Sequence, residues 1–231
     1  MKAALHTPPL KAVYRALLRE FGPQHWWPGR TRLEICVGAI LTQNTAWTNV
    51  ERAIRNLRRA RALNLTTLHA APLPQLAAWI RPAGCFNVKA RRLRAFTGLV
   101  ADRFGGKLDK LLALPAAELR ATLLAVHGIG PETADSIVLY AARQPVFVVD
   151  AYARRFLQRH GWVGPRATYA EVAELFTARL PPDAQLFNEY HALIVALGKN
   201  YCRPRPLCDK CPLTGMGERE KAENGKQKAE S

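Results

Sequence analysis

Apolar residues recur along most of this chain at the three- and four-residue intervals of an α-helix. Val13, Leu17 and Leu18 share one face of a first helix that Gly22 and Pro23 stop. Thr31 with Glu34 reads as a capping box ahead of LEICVGAILTQ, which ends near Gln43. Thr48 with Glu51 suggests a second cap. The helix after it turns Val50, Ala53, Ile54 and Leu57 inward and Arg52, Arg55, Arg58 and Arg59 outward. Pro72 and Pro74 frame a short helix with Leu76 and Trp79. A longer one over 88–104 buries Leu93, Phe96, Val100 and Phe104, directs Lys89, Arg91, Arg92 and Arg94 outward, and ends at Gly105 and Gly106. Pro115 opens another helix; Ala134, Ile137, Val138 and Ala141 mark the next, and Phe156 and Leu157 the one after Asp150. Thr168 with Glu171 is a third capping box, and a last helix covers about 183–199. The run VFVV at 146–149 has strand character, but a single strand has no partner. The pattern therefore predicts an all-α fold, without internal repeats.

Composition narrows the function. The chain has 231 residues, 48% hydrophobic, enough for one large or two small cores. No apolar run reaches the roughly 18 residues that span a bilayer, and the N-terminal stretch, interrupted by Pro8, Pro9 and Lys11, lacks a secretory pattern. A cytoplasmic, monomeric protein is the expectation. Lys and Arg number 34 against 18 Asp and Glu, a formal charge of +16. Residues after Thr214 carry equal numbers of each sign and read as a disordered tail, so the excess sits on the folded body. Such a field favours a polyanion. Of five cysteines, Cys36 and Cys85 lie among apolar residues and read as buried thiols, while Cys202, Cys208 and Cys211 cluster at metal-ligand spacing.

The chemistry concentrates in LLAVHGIGPETADSIVLYAARQPVFVVD, residues 123–150. His127, Gly128, Ile129 and Gly130 form a glycine turn between two helical patterns, and Pro131 suits the first turn of the second helix. Unpaired N–H groups at that helix start, with the positive end of its dipole, suit a phosphate. The following apolar run delivers one carboxylate, Asp150. A dinucleotide fingerprint does not fit, because the preceding segment is helical and Thr133 stands where a third glycine belongs.

The run LLAVHGIGPETADSIVLYA followed by VVDAYARRFL resembles the helix–hairpin–helix plus Gly/Pro-Asp motif of the endonuclease III superfamily of DNA glycosylases. That resemblance spans about 26–211 and implies two helical subdomains with a DNA cleft between them. It assigns residues 30–145 to a domain carrying the hairpin, and 1–29 with 146–213 to a second domain ending in the cysteine loop. It also implies that His127, Gly128, Ile129, Gly130 and Thr133 meet DNA phosphate, that Asn44 contacts DNA, and that Gln43 enters the gap left by an extruded base. Asp150 would stabilise the oxocarbenium-like sugar and activate water; on local sequence alone it is an ordinary N-cap. Strand-cutting relatives carry a hairpin lysine that forms a Schiff base. Glu132 occupies that slot here, and a carboxylate cannot do this chemistry.

The phrases WWP, LTQNTAW and IRPAGCFNVKARRL further resemble the bacterial 3-methyladenine glycosylase branch. By that resemblance Trp47 stacks on the extruded base, Trp26, Trp27 and Pro28 wall the pocket, and Lys199 adds an amine. The partner is double-stranded DNA with a damaged base, an alkylated purine on this reading. Oxidised or mismatched pyrimidines, and a non-catalytic DNA-binding role, are the alternatives. Cys202, Cys208 and Cys211 resemble the loop that holds a [4Fe–4S] cluster with four thiolates, but no fourth cysteine follows. A cluster with another fourth ligand, a [3Fe–4S] or zinc site, and a loop without metal all remain open at this point. His127 and His191 read as structural residues or phosphate contacts.

Overall fold

A computed structural model describes residues 7–26 and 29–216, and every regular element in them is helical. In chain order these are α1 (Leu10–Phe21), α2 (Arg32–Leu41), α3 (Trp47–Arg59), α4 (Leu65–Ala70), α5 (Leu73–Trp79) and α6 (Phe86–Phe104). There follow α7 (Leu108–Leu112), α8 (Ala116–Leu124), α9 (Pro131–Ser136), α10 (Ala151–Arg159), α11 (Tyr169–Thr177) and α12 (Ala184–Asn200). The run at 146–149 is irregular, as expected of strand-like residues with nothing to pair with.

Two units emerge. The hairpin unit comprises His25–Val148 and Pro181–His191; the described residues of the terminal unit fall within Met1–Gln24, Val149–Leu180 and Ala192–Ser231. Residues 25, 26 and 29, with 146–148 and 181–191, thus group with the hairpin, away from the segments that the sequence grouped them with. Aromatic packing accounts for this. Trp26 stacks on His191, with ring centroids 5.5 Å apart, and Phe147 meets Phe187 edge-on at 5.6 Å. The tail from residue 217 lies outside the described residues; Thr214 and Met216 before it close turns onto Cys211 and Leu213.

The core of the hairpin unit is the set the periodicity selects. Val37, Ile40 and Leu41 of α2 pack with Val50, Ile54 and Leu57 of α3 and Leu93, Phe96 and Val100 of α6. Leu119, Leu123, Ile129, Ile137 and Val138 join it from the segment around the glycine turn. The chain after α9 continues through Ile137–Ala141 as one π-helical turn, wholly buried. Such turns take an extra residue and recur near functional sites.

Several local expectations resolve differently. Thr31 caps α2, accepting from the Glu34 amide at 3.2 Å, but the Glu34 side chain does not complete a box; buried at 5% exposure, it pairs with Arg58 instead. Ala46 takes the N-cap place of α3 and Thr48 caps nothing there, while Glu51 accepts from the Trp47 indole at 2.9 Å. Lys89 points inward, 2% exposed, and its ammonium donates to the carbonyls of Leu41 (2.9 Å) and Ala83 (2.7 Å). Those carbonyls close helical segments and need donors. Cys85 is exposed, because it takes a left-handed backbone (φ 43°) between Gly84 and α6. Cys36 is buried, which pushes its thiol up to about 12. The third capping box, Thr168 with Glu171, is complete.

Candidate functional site

The glycine turn is a tight bend anchored from below. Val126 donates to Leu123 and Ile129 to Val126, each at 3.0 Å, and Ile129 plugs the core at 5% exposure. His127 and Gly130 are exposed. Gly128 adopts φ +83°, a region that side chains resist, and a Cβ there would lie 2.5 Å from Arg92 Cγ. Gly130 is different: its φ is −94° and a Cβ would meet nothing within 4 Å. The fold itself leaves room for a side chain at Gly130. Pro131 opens α9, and Thr133 is buried at 6%.

Gln43 holds this bend. Its amide donates to the Gly128 carbonyl at 3.0 Å and to the Thr133 hydroxyl at 2.9 Å. Its carbonyl accepts from the Arg92 guanidinium, whose stem lies against Gly128. Gln43 therefore does not face water at a helix end; it is half-buried and ties α2 and α6 to the hairpin. Arg92, read as an outward charge, is the other half of this brace. Beside it Asn44 is exposed in a left-handed conformation, φ 53°.

Asp150 sits half-buried at the head of α10, where its carboxylate accepts from the Ala153 amide at 2.7 Å. This is the N-cap geometry that aspartate favours, and the positive end of the helix dipole suits the ionised form. The preceding amide, Val149, donates to the Tyr169 hydroxyl at 3.2 Å, and Tyr169 follows the completed capping box of α11. Two caps thus fix the carboxylate's backbone.

Of the predicted pocket residues, Trp27 and Pro28 lie outside the described residues. Trp26 lines a cavity of about 500 Å³ in the hairpin unit with Tyr140, Leu139 and Ile35, together with His25, Gln185 and Asn188. One face of the indole rests on His191, and Tyr140 meets it edge-on at 6.1 Å. The Tyr140 hydroxyl and His191 Nδ1 share a hydrogen bond of 2.6 Å. The His25 backbone is left-handed (φ 48°), and its amide donates to Glu189 of α12 at 3.2 Å. Trp47 lies elsewhere, half-buried at the start of α3, and is not among this cavity's walls. Lys199 is exposed in the last turn of α12. Tyr140, Asn188, Glu189 and His191 were not singled out for the pocket by sequence. The signal was the i, i+3 spacing of Gln185 with Asn188, and of Asn188 with His191, on α12.

The cysteine loop does not fit a four-thiolate cluster. Cys202 is buried at 8%, Cys208 exposed and Cys211 half-buried, and among the described residues no three metal-ligating side chains are gathered. Arginines hold the loop. Arg155 donates to the Cys202 carbonyl at 2.7 Å, and Arg159 to the carbonyls of Arg203 (2.6 Å) and Pro204 (3.0 Å) and to Cys202 Sγ (3.4 Å). No described helix is long and apolar enough to cross a membrane.

A family model described as HhH-GPD superfamily base excision DNA repair protein matches residues 37–182. A Methanocaldococcus jannaschii protein, MJ1434, named as a candidate DNA repair glycosylase, is 46% identical over 206 residues, 87% of this chain and 92% of that one. The crystal structure of Helicobacter pylori 3-methyladenine DNA glycosylase (MagIII) bound to 1,N6-ethenoadenine superposes with TM-score 0.69 at 30% identity, covering 82% of this chain and 95% of the other. A non-covalent endonuclease III–DNA complex has TM-score 0.80 at 21% identity, covering 93% and 96%, a likeness of fold.

Proposed function

From the premise that the chain belongs to the HhH-GPD superfamily of base excision DNA repair proteins and is a DNA N-glycosylase, we propose that it hydrolyses the N-glycosidic bond of an alkylated purine and leaves the strand uncut. The observation that carries the substrate class is the aromatic cavity at Trp26. An extruded base must be held between apolar or aromatic faces, and a volume of about 500 Å³ admits a purine. An alkylated, cationic purine is also drawn to an electron-rich indole, a contact worth about 1–2 kcal/mol when desolvated. The similarity to a glycosylase solved with 1,N6-ethenoadenine supports the same class.

Asp150 is the proposed catalytic residue. As base and sugar part, positive charge grows on the ring, and a fixed carboxylate lowers the barrier. The same oxygens can orient or deprotonate the attacking water. A cationic base leaves readily, so no separate general acid is required. Glu132, exposed in the first turn of α9, stands where strand-cutting members of the superfamily resemble one another in carrying lysine. Without an amine there, no Schiff base forms and the product is an abasic site. The glycine turn, with Gly128, Gly130 and Asn44 beside it, is the proposed phosphate contact. The open space around Gly130 lets a DNA backbone approach closely.

The test is base release from methylated duplex DNA by wild type and Asp150→Asn, read with and without alkaline cleavage. Asparagine also caps helices well, so this substitution keeps the fold. Wild type should release methylpurines and cut only after alkali; Asp150→Asn should be slower by at least a hundredfold. Equal rates would remove Asp150 from the chemistry, and strand breaks without alkali would remove the monofunctional reading. Binding without release by either protein would favour the non-catalytic alternative.

A further inference from the structure

The indole of Trp26 is held by residues that sequence did not assign to the pocket. His191 of α12 is 4% exposed and is not among the cavity's walls. Its imidazole lies against one face of the indole, with ring centroids 5.5 Å apart and planes 14° from parallel. The imidazole is itself restrained, because Nδ1 shares a 2.6 Å hydrogen bond with the Tyr140 hydroxyl. Tyr140, 5% exposed, comes from the π-helical turn Ile137–Ala141 and also meets the indole edge-on at 6.1 Å. One residue ahead of Trp26, the His25 amide is clipped to Glu189. The segment before α2, the π-turn and α12 thus converge on a single indole.

Packing alone does not call for this pair. Burying an imidazole and a phenol costs desolvation, and their mutual hydrogen bond returns little net stability. Two apolar rings would fill the same space. What a satisfied polar pair adds is one fixed geometry, and here that geometry keeps the imidazole nearly parallel to the indole. With that face covered, Trp26 has its opposite face and its edge to present to a ligand. A wall whose plane is set in advance takes up a planar ring without a further ordering cost. Resting on the glycosylase reading above, we propose that His191 and Tyr140 are positioning residues: His191 sets the plane of Trp26 against the extruded base, and the Tyr140 hydroxyl sets the plane of His191. Both hydrogen-bonding groups act on the base through the indole.

The test is equilibrium dialysis of 1,N6-ethenoadenine, followed by its own fluorescence, against the whole protein and its folded variants. His191→Leu should weaken binding about three- to tenfold, the range that one aromatic contact carries. His191→Phe keeps a flat ring behind the indole and should stay within about twofold of wild type. Tyr140→Phe should weaken binding about threefold when His191 is present and change nothing in His191→Phe, because the hydroxyl acts only through the imidazole. In a Trp26→Leu background, His191→Leu should have no further effect. Should His191→Leu fail to fold, Tyr140→Phe alone and combined with His191→Phe decides. A loss that persists without Trp26 would make His191 a packing residue only. That outcome, full affinity in His191→Leu or in Tyr140→Phe, failure of His191→Phe to rescue, or no binding by wild type would each overturn the assignment. Methylpurine release from duplex DNA separates the two levels. Release at the wild-type rate by His191→Leu defeats only the positioning role; no release by wild type defeats the function on which it rests.

Discussion

Replacing Gln43 with methionine removes the hairpin's brace while nearly preserving volume. Two neutral hydrogen bonds disappear, to the Gly128 carbonyl and the Thr133 hydroxyl, together with one from the Arg92 guanidinium. Neutral bonds contribute about 0.5–1.5 kcal/mol each and a charged one about 1.5–3. Their plain sum would be roughly 2.5–6 kcal/mol, but coupled contacts do not add. Thr133 is buried, so its hydroxyl stays unpaired. A net destabilisation of about 2–4 kcal/mol is expected, read as a lower urea midpoint for the transition that unfolds the hairpin unit. Duplex affinity should fall about tenfold because the turn loses its fixed shape. The slope of log affinity against log salt should stay the same, since no phosphate-bound cation has been removed. A stability change under about 0.5 kcal/mol with unaltered binding would refute the brace. A salt slope reduced by about one would mean that the substitution acts by displacing a cation such as Arg92 from phosphate.

Two further outcomes follow from buried groups. Burial pulls the Lys89 ammonium below its ordinary value of 10.5, with Arg92 nearby acting the same way and Cys85 opposing. Over the alkaline interval between the folded and unfolded values the unfolded chain holds the extra proton, so stability rises with pH. Lys89→Met should cost about 1–3 kcal/mol near pH 7.5 by leaving two carbonyls unpaired, and the gap to wild type should widen towards pH 10 in urea titrations; a constant gap counts against a buried charge. Arg159→Leu should loosen the cysteine loop, so that Cys202 reacts with a thiol reagent at least tenfold faster than in wild type. An unchanged rate would mean that the loop stands without this guanidinium.

Most helices could be read from the chain because their signals are local. The Thr168 and Glu171 box, the N-cap at Asp150, Pro115 ahead of α8 and the left-handed Gly128 all stand in the structure where their own neighbours in sequence place them. What sequence hid depends on distant partners. Lys89 looked like one more outward charge in a basic helix; only the carbonyls of Leu41 and Ala83, folded over it, explain its burial. Gln43 and Arg92 meet across 49 residues, and each alone is an unremarkable polar side chain. The aromatic cavity was half visible. Trp26 announced itself in a proline-rich loop, whereas Tyr140 and His191 looked like helix residues until the fold joined them across 51 positions. Glu51 misled for the opposite reason: its spacing to Thr48 suits a cap, yet it is spent on the Trp47 indole.

The wide turn at Ile137–Ala141 has a consequence for how this chain can change over time. An ordinary helix advances about 100° per residue, so deleting one residue there would let the coil tighten to an α-turn and re-aim the side chains inside it by up to that angle. Tyr140 and Leu139 would leave the cavity wall while the glycine bend upstream stayed intact. The proposed phosphate contact and the proposed base pocket therefore answer to different parts of one continuous rod, and a single-codon deletion would reshape the second while sparing the first.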